Sequence, residues 1–534
     1  MPEPAAIQKI FVGIDFGTTF SSVSCICLRG GTLTSFIDNY MSVPSDPLLQ
    51  RPQVPTVFTF DQTGKIILRR SPPGPSDIRW CKLALVHRDH LPRDLQPLFE
   101  EARVSWGTRS AADMIAPFLR ALMQRFFEDL QGRLRLPGPC DFHCVFAFPA
   151  SWKPEDCNRM RAAVEKACLP SLADTSTFSF DYLSEQEAVA LAVCNDEGSF
   201  AEDSLITVCD CGGLTLDIAS YILTLKDGAP QMVQCGEARS VASGGIILHR
   251  EVENLVKVEL ERRTGNSRFL ETCGDAQSKQ IRAACIKMIH ESDGLGKGNV
   301  RITFHLGIDR AAITVKRAEM NKMFDELVEA ILTAANTDML AAENTYRDLM
   351  GKEVLKHYLA LTGGLSCNGY IRRAIHDKVQ QQHGNKIELI LPPGNSGWTA
   401  VGRGGAIHAL HSTLTRREGF GVAWRTCPAT FYIRERLEAP IILARKGQLL
   451  QTNQENLCDV PLEAVRCFLG KCQLVVHRSS EDGDSNYVTF SWDARALNGT
   501  LSLSFFSSGE PGLSIDLRHN GMHIAADVVQ KSRG

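Results

Sequence analysis

The chain has 534 residues, 44% of them apolar and 22% charged, with a formal net charge of -3. That length is too great for one core and predicts about two or three domains, while the near-neutral charge gives no basic excess for nucleic acid or an anionic membrane. No apolar run approaches the roughly 20 residues that span a bilayer, and the first residues do not read as a secretory leader. The 18 cysteines are scattered without a CxxC pair. Cys25, Cys27, Cys209 and Cys211 fall in or beside apolar runs, where a free thiol acts as a small hydrophobe, so a reduced protein is expected, cytoplasmic or also nuclear.

Residues 10–14 form an apolar run that ends in Asp15, followed by Phe16-Gly17-Thr18-Thr19 and a second strand-like run at 22–28. The same design returns almost two hundred residues later. Residues 205–209 lead into Asp210-Cys211-Gly212-Gly213-Leu214-Thr215-Leu216-Asp217 and a second run at 218–223. Each stretch predicts a hairpin, and their repetition predicts two similar lobes facing each other. Glycine lets backbone N–H groups reach a phosphate, Thr hydroxyls add donors, and an Asp at a strand end can hold Mg²⁺ through water. A single turn of this kind also reads as an ordinary hairpin with a polar tip, and the pair is what argues for phosphate.

Residues 37–77, rich in Pro, Ser and Asp, read as a surface region with one strand at 56–60. A helix is expected at 110–131 from the spacing of Met114, Phe118, Leu122 and Phe126, then a buried strand at 144–148, a helix at 153–169, and helices at 247–260 and 316–335. From about residue 416 the pattern changes to short strands at 429–433, 473–476, 487–492, 500–505 and 513–517, which predicts a β-domain. Asn498-Gly499 reads there as a hairpin turn rather than a glycosylation acceptor.

The Asp15 turn resembles the first phosphate motif of the actin, sugar kinase and heat-shock protein 70 superfamily, and the Asp210 turn resembles its second. Leu361-Thr362-Gly363-Gly364-Leu365-Ser366 resembles the adenosine motif, and the three occur in the family's order across roughly residues 10–410. Phe148-Pro149-Ala150 and residues 183–192 resemble further segments of that family. Residues 397–406 resemble the helix that closes the second lobe, in the form of the atypical heat-shock 70 branch, the twelve-type proteins. The resemblance implies an α/β, two-lobed actin-like ATPase fold of duplicated ribonuclease H-like lobes, at 1–200 and 201–415, followed by a small C-terminal β-domain at 416–534.

It also implies ATP and Mg²⁺ as ligands. Asp15 and Asp210 would hold the metal, while Gly17, Thr18, Thr19, Gly212, Gly213 and Thr215 would meet the phosphates. Gly244 and Gly245 would lie near the ribose at a helix N-terminus suited to anions; Gly363 and Gly364 would face the adenosine, and Lys287 the adenine. Glu185 would accept a proton from the attacking water, with Asp210 and Asp217 orienting that water and the metal shell. Four positions depart from the motifs: Leu214 replaces a glycine, Ile246 and Ile247 replace acidic residues, and Cys367 replaces an arginine.

Two lysines keep a second reading. Lys82 is a candidate phosphate partner, but a solvated lysine on a helix is the favoured reading and the family's catalytic lysine has no placement. Lys287 reads equally as a surface lysine. The expected function is a heat-shock 70-like, slow Mg-dependent ATPase acting as a nucleotide-controlled switch or chaperone-like module, with a protein partner or client at the β-domain. The alternatives are a nucleotide-binding scaffold with little turnover and a small-molecule kinase. No nucleic acid, no membrane and, without a helical lid, no peptide clamping are expected.

Overall fold

The computed structural model describes residues 8–29, 32–37, 53–68, 77–134, 139–169, 176–197, 200–226, 229–264, most of 280–289, 299–306, 309–392 and 396–414, and beyond 421 mainly the strands. It is a mixed α/β protein built on two mixed sheets. The first sheet contains β1 (Gln8–Asp15), β2 (Phe20–Arg29), β3 (Thr32–Ile37), β4 (Cys140–Phe148) and β5 (Thr177–Ser184) in the order β3-β2-β1-β4-β5. β1 and β2 are antiparallel, as the hairpin expectation required, and β1, β4 and β5 are parallel.

Helices α1 (Gln96–Trp106), α2 (Ala111–Leu134) and α3 (Pro154–Ala167) fall between these strands, and α4 (Glu185–Glu197) follows β5. The second sheet contains β6 (Ser204–Cys211), β7 (Leu216–Lys226), β8 (Ala229–Val241), β9 (Lys356–Thr362) and β10 (Ile387–Ile390) in the order β10-β9-β6-β7-β8. Its directions repeat those of the first: β6 and β7 are antiparallel and β6, β9 and β10 are parallel. Its helices are α5 (Gly245–Thr264), α6 (Arg317–Met350), α7 (Gly369–His383) and α8 (Ser396–Leu414).

Alternation along the strands sorts the core into layers. Ile10, Val12 and Ile14 of β1 join α2 and α3 in one cluster, and Leu205 and Cys209 of β6 join α5, α6 and α7 in a second. Phe11 of β1 and Ile206 and Val208 of β6 face the other way, into a third cluster with α4 and α8. These two helices therefore lie between the sheets, and glycines allow their close approach. A Cβ on Gly404 would sit 1.7 Å from the Ala188 carbonyl oxygen of α4, and one on Gly13 of β1 would sit 1.8 Å from the Gly402 oxygen.

Three expectations need correction. The helix expected at 316–335 runs from Arg317 to Met350, because its apolar face continues through Met339, Ala342 and Tyr346. The strands on either side of Asn498-Gly499, Gly483–Asp493 and Leu501–Phe506, belong to different sheets and do not pair as a hairpin; residues 494–500 lie outside the described residues. Past residue 416, β11 (Val422–Thr426) pairs in parallel with β8 and carries β12 (Leu449–Gln451), so the second sheet continues across the expected boundary. The remaining C-terminal strands form a six-stranded and a four-stranded antiparallel sheet. Among the described residues no helix is long and apolar enough to cross a membrane.

Candidate functional site

The ends of β1 and β6 open onto one cleft of about 1020 Å³. At the first turn, Thr56 braces the backbone: its N–H donates to the Thr19 oxygen and its hydroxyl to the Gly17 oxygen, both at 2.9 Å. A Cβ on Gly17 would lie 2.0 Å from the Phe20 oxygen, so this curvature requires glycine. At the second turn the Gly212 N–H donates to the Thr215 oxygen at 3.0 Å, and the Thr215 hydroxyl donates to Asp217 at 2.6 Å. Asp210 and Asp217 are directly opposite in the β6–β7 register. The turns face each other, since a Cβ on Gly213 would meet the Thr19 hydroxyl at 2.5 Å.

The Gly363-Gly364 turn joins the same cleft. Gly363 has φ +81°, and a Cβ there would lie 2.5 Å from an Asp210 carboxylate oxygen. β9 thus delivers its Gly-Gly turn against the end of β6. Asn368, overlooked in the sequence, lines the cleft here. Its side-chain oxygen accepts from Tyr370 N and Ile371 N, capping α7, and its amide donates to the Ile289 oxygen at 2.6 Å. The Asn-Gly-Tyr sequence at a helix start was the available signal.

Of the predicted residues, Asp15, Gly17, Thr18, Thr19, Glu185, Asp210, Gly212, Gly213, Thr215, Asp217, Gly245, Gly363 and Gly364 line this cleft. Gly244 instead packs on the backbone of Leu214, 2.2 Å from where its Cβ would be. The helix behind it is not an open anion site, because Gly245 N and Ile246 N donate to the oxygens of Gly212 and Gly213. Leu214 is buried with Ile246 in the hydrophobic cluster of the first sheet, so each crosses from the second half to the first. Lys287 lies outside the described residues.

Lys82 is the main correction. It lies on a short 3-10 helix, Cys81–Leu85, and is buried rather than solvated. Its ammonium is 2.5 Å from a Glu185 carboxylate oxygen, and Glu185 opens α4 as expected. The preceding Trp80 has φ 55° and ψ 29°, a left-handed conformation that is an outlier for a bulky side chain. No sequence pattern announces a buried lysine of this kind, since its burial is decided by the packing of distant segments.

Four carboxylates, Asp15, Glu185, Asp210 and Asp217, therefore act on the Lys82 ammonium. Burial raises Asp15 to about 7, with Glu185 adding to the rise and Lys82 opposing it. Burial and then Glu185 raise Asp217 to about 6 against the hydrogen bonds from Thr215 and Ser240. Asp210 is pushed well above the ordinary carboxylate range by burial, Glu185, Asp217 and Asp15. Burial depresses Lys82, but the attraction of Glu185, Asp15 and Asp217 outweighs it and leaves the ammonium more firmly protonated. Such an excess of negative charge suits a cation. Among the described residues no three His, Cys, Asp or Glu side chains are placed to ligate one directly, so the donor set fits a hydrated hard ion bound through its waters. No family model matches the chain, and no curated protein matches it.

Proposed function

We propose that the protein is a two-lobed, actin-like, heat-shock 70-like ATPase that hydrolyses ATP slowly with Mg²⁺ and acts as a nucleotide-controlled switch for a protein partner. The observation that carries this reading is the convergence of two duplicated strand-turn-strand units, each ending in an Asp, on a cleft that also holds the buried Lys82–Glu185 pair. Asp15 and Asp210 would hold hydrated Mg²⁺, which supplies the positive charge that lets a polyphosphate approach four carboxylates. The backbone N–H groups at Gly17 and Gly213 and the hydroxyls of Thr18 and Thr19 would donate to phosphate oxygens, while the Gly212 N–H and the Thr215 hydroxyl, bonded to the Thr215 oxygen and to Asp217, hold the second turn in shape. Lys82 neutralises charge developing on the terminal phosphate. Glu185 accepts the proton of the attacking water, and Asp217 orients that water.

A second reading is a nucleotide-binding scaffold with little turnover, favoured by the engagement of the Glu185 carboxylate with Lys82. Calorimetric titration with Mg·ATP and Mg·ADP, followed by a single-turnover assay, separates the two. Binding lost in Asp210→Asn and hydrolysis lost in Glu185→Ala are the expected results. Binding without hydrolysis establishes the scaffold, and absence of nucleotide binding overturns both readings.

A further inference from the structure

The last strand of the first sheet, β5, has a neighbour on one side. Among the described residues nothing pairs with its outer edge, and its first half is open: Thr177, Ser179 and Phe180 are exposed, whereas Leu183 and Ser184 are buried. An open edge is a template for another strand, and proteins blunt it with charge, proline, a bulge or shortness. Two other edges show these devices. β10, the corresponding edge of the second sheet, has four residues and carries Glu388, paired with Lys356. β3 meets β2 through a register shift at Cys27 and Leu28. β5 has eight residues in unbroken register with β4, no proline and one charge, Asp181.

That charge is already engaged. One Asp181 carboxylate oxygen accepts from Tyr182 N at 2.7 Å, and the other lies 3.4 Å from His408 Nε2 of α8. Side chains alternate along a strand, so Phe178 and Phe180 share the face opposite to Asp181. The Phe178 ring stacks on Phe142 of β4 with centroids 5.0 Å apart, and Phe180 stacks on Phe178 at 6.3 Å and lies 6.4 Å from Phe146. Phe180 remains 37% exposed. A ring already fixed by its neighbours therefore stands at the open edge, where it can be covered at little cost in side-chain freedom.

The strand complements itself. When β5 runs antiparallel to β5 of a second copy about an axis at Ser179, Phe178 of each faces Phe180 of the other and Thr177 of each faces Asp181 of the other. Aromatic pairs across strands are favourable, and no like charges meet. A net charge of -3 adds little general repulsion between copies. We propose that residues 177–181 of β5 are the interface of a twofold dimer of this chain, which joins two first sheets into one. The open stretch is the end of β5 remote from Glu185, so the pairing leaves the cleft free and stands whether or not the phosphate turns bind nucleotide. Five residues from each copy make a small contact at the weak end of specific interfaces, with a Kd on the order of micromolar.

The test is sedimentation velocity of the full-length protein between about 1 and 100 µM, a range that brackets such an affinity. Ser179 is exposed and lies on the axis. Ser179→Asp and Ser179→Lys each set like charges face to face and should weaken association about fivefold or more, whereas an equimolar mixture of the two proteins sets opposite charges face to face and should recover it. Melting temperatures identify folded variants. Phe180→Ser, which removes one ring from each aromatic pair, should weaken the dimer by a similar factor and serves where a charged variant fails to fold. A wild type that stays monomeric throughout, folded variants that associate as tightly as wild type, or loss in both charged variants without recovery on mixing overturns the proposal.

Discussion

Asp15, Asp210 and Asp217 are pushed up by burial and by the Glu185 charge, and Lys82 is the cation that opposes the rise at each, an imbalance that governs the response to pH. An Asp in the unfolded chain ionises near 3.8, whereas Asp217 and Asp15 hold their protons to about 6 and about 7 in the fold. Across that window the native state binds more protons than the unfolded state, so the stability these two groups contribute falls as pH rises from 3.8 and is lost once pH has passed about 7. A cation that binds only the folded, ionised site reverses the loss. The melting temperature of the metal-free protein should therefore fall between about pH 5 and about pH 7.5, and Mg·ADP should restore more of it at the higher value. Asp15→Asn, which imitates the protonated form, should flatten the profile; parallel profiles for variant and wild type would remove Asp15 as the source. The four carboxylates were legible because Asp15 and Asp210 stand at the end of a strand, Asp217 at the start of the next and Glu185 at the start of a helix, each beside a recognisable turn. Lys82 was not, because local sequence cannot tell a buried lysine from a solvated one.

At the scale of elements, the short helix that aims Lys82 starts from an unfavourable conformation. A non-glycine residue in the left-handed region costs roughly 1–2 kcal/mol, and Trp80 is held there by three contacts. Its carbonyl accepts from Leu83 N at 3.0 Å, the Arg79 carbonyl accepts from the Trp106 indole at 3.3 Å, and the Arg79 guanidinium lies 4.3 Å from its ring centroid. If the conformation rather than the indole presents Lys82, Trp80→Gly and Trp80→Asn should keep single-turnover rates within about threefold of wild type, since both residues accept positive φ. Trp80→Val, β-branched and poorly suited to that region, should lower the rate by about tenfold or more. Equal losses in all three would assign the role to the ring. The hairpins around Asp15 and Asp210 were readable from strand-turn-strand patterning, but α4 was not readable from periodicity. Its residues from Glu185 to Cys194 are all buried, so it has no polar stripe, and only its motif identified it. The C-terminal strands were located without their partners, because pairing such as β8 with β11 joins residues almost two hundred apart.

At the scale of the molecule, the cleft is held together by contacts of two kinds. Leu214 and Ile246 cross from the second half into the hydrophobic cluster of the first, while Glu101 of α1 receives Arg79 from its own half and Arg250 from α5 of the other. The ionic bridge is partly exposed, with side chains 38% and 45% accessible at Glu101 and Arg250. Its contribution is accordingly small, about 0.2–1 kcal/mol, and Glu101→Gln should speed release of a fluorescent ADP by about 1.4- to 5-fold. That difference should vanish near 1 M salt, where the screening length is about 3 Å. Leu214→Ala removes buried apolar contact worth about 2–5 kcal/mol, a larger effect that salt does not screen. Stopped-flow release at low and high salt compares the two directly. A larger acceleration in Leu214→Ala, persisting at high salt, means that the buried leucine of the second turn keeps the halves closed. A larger acceleration in Glu101→Gln at low salt would assign closure to the ionic bridge, and no change in either would place the control of release away from this interface.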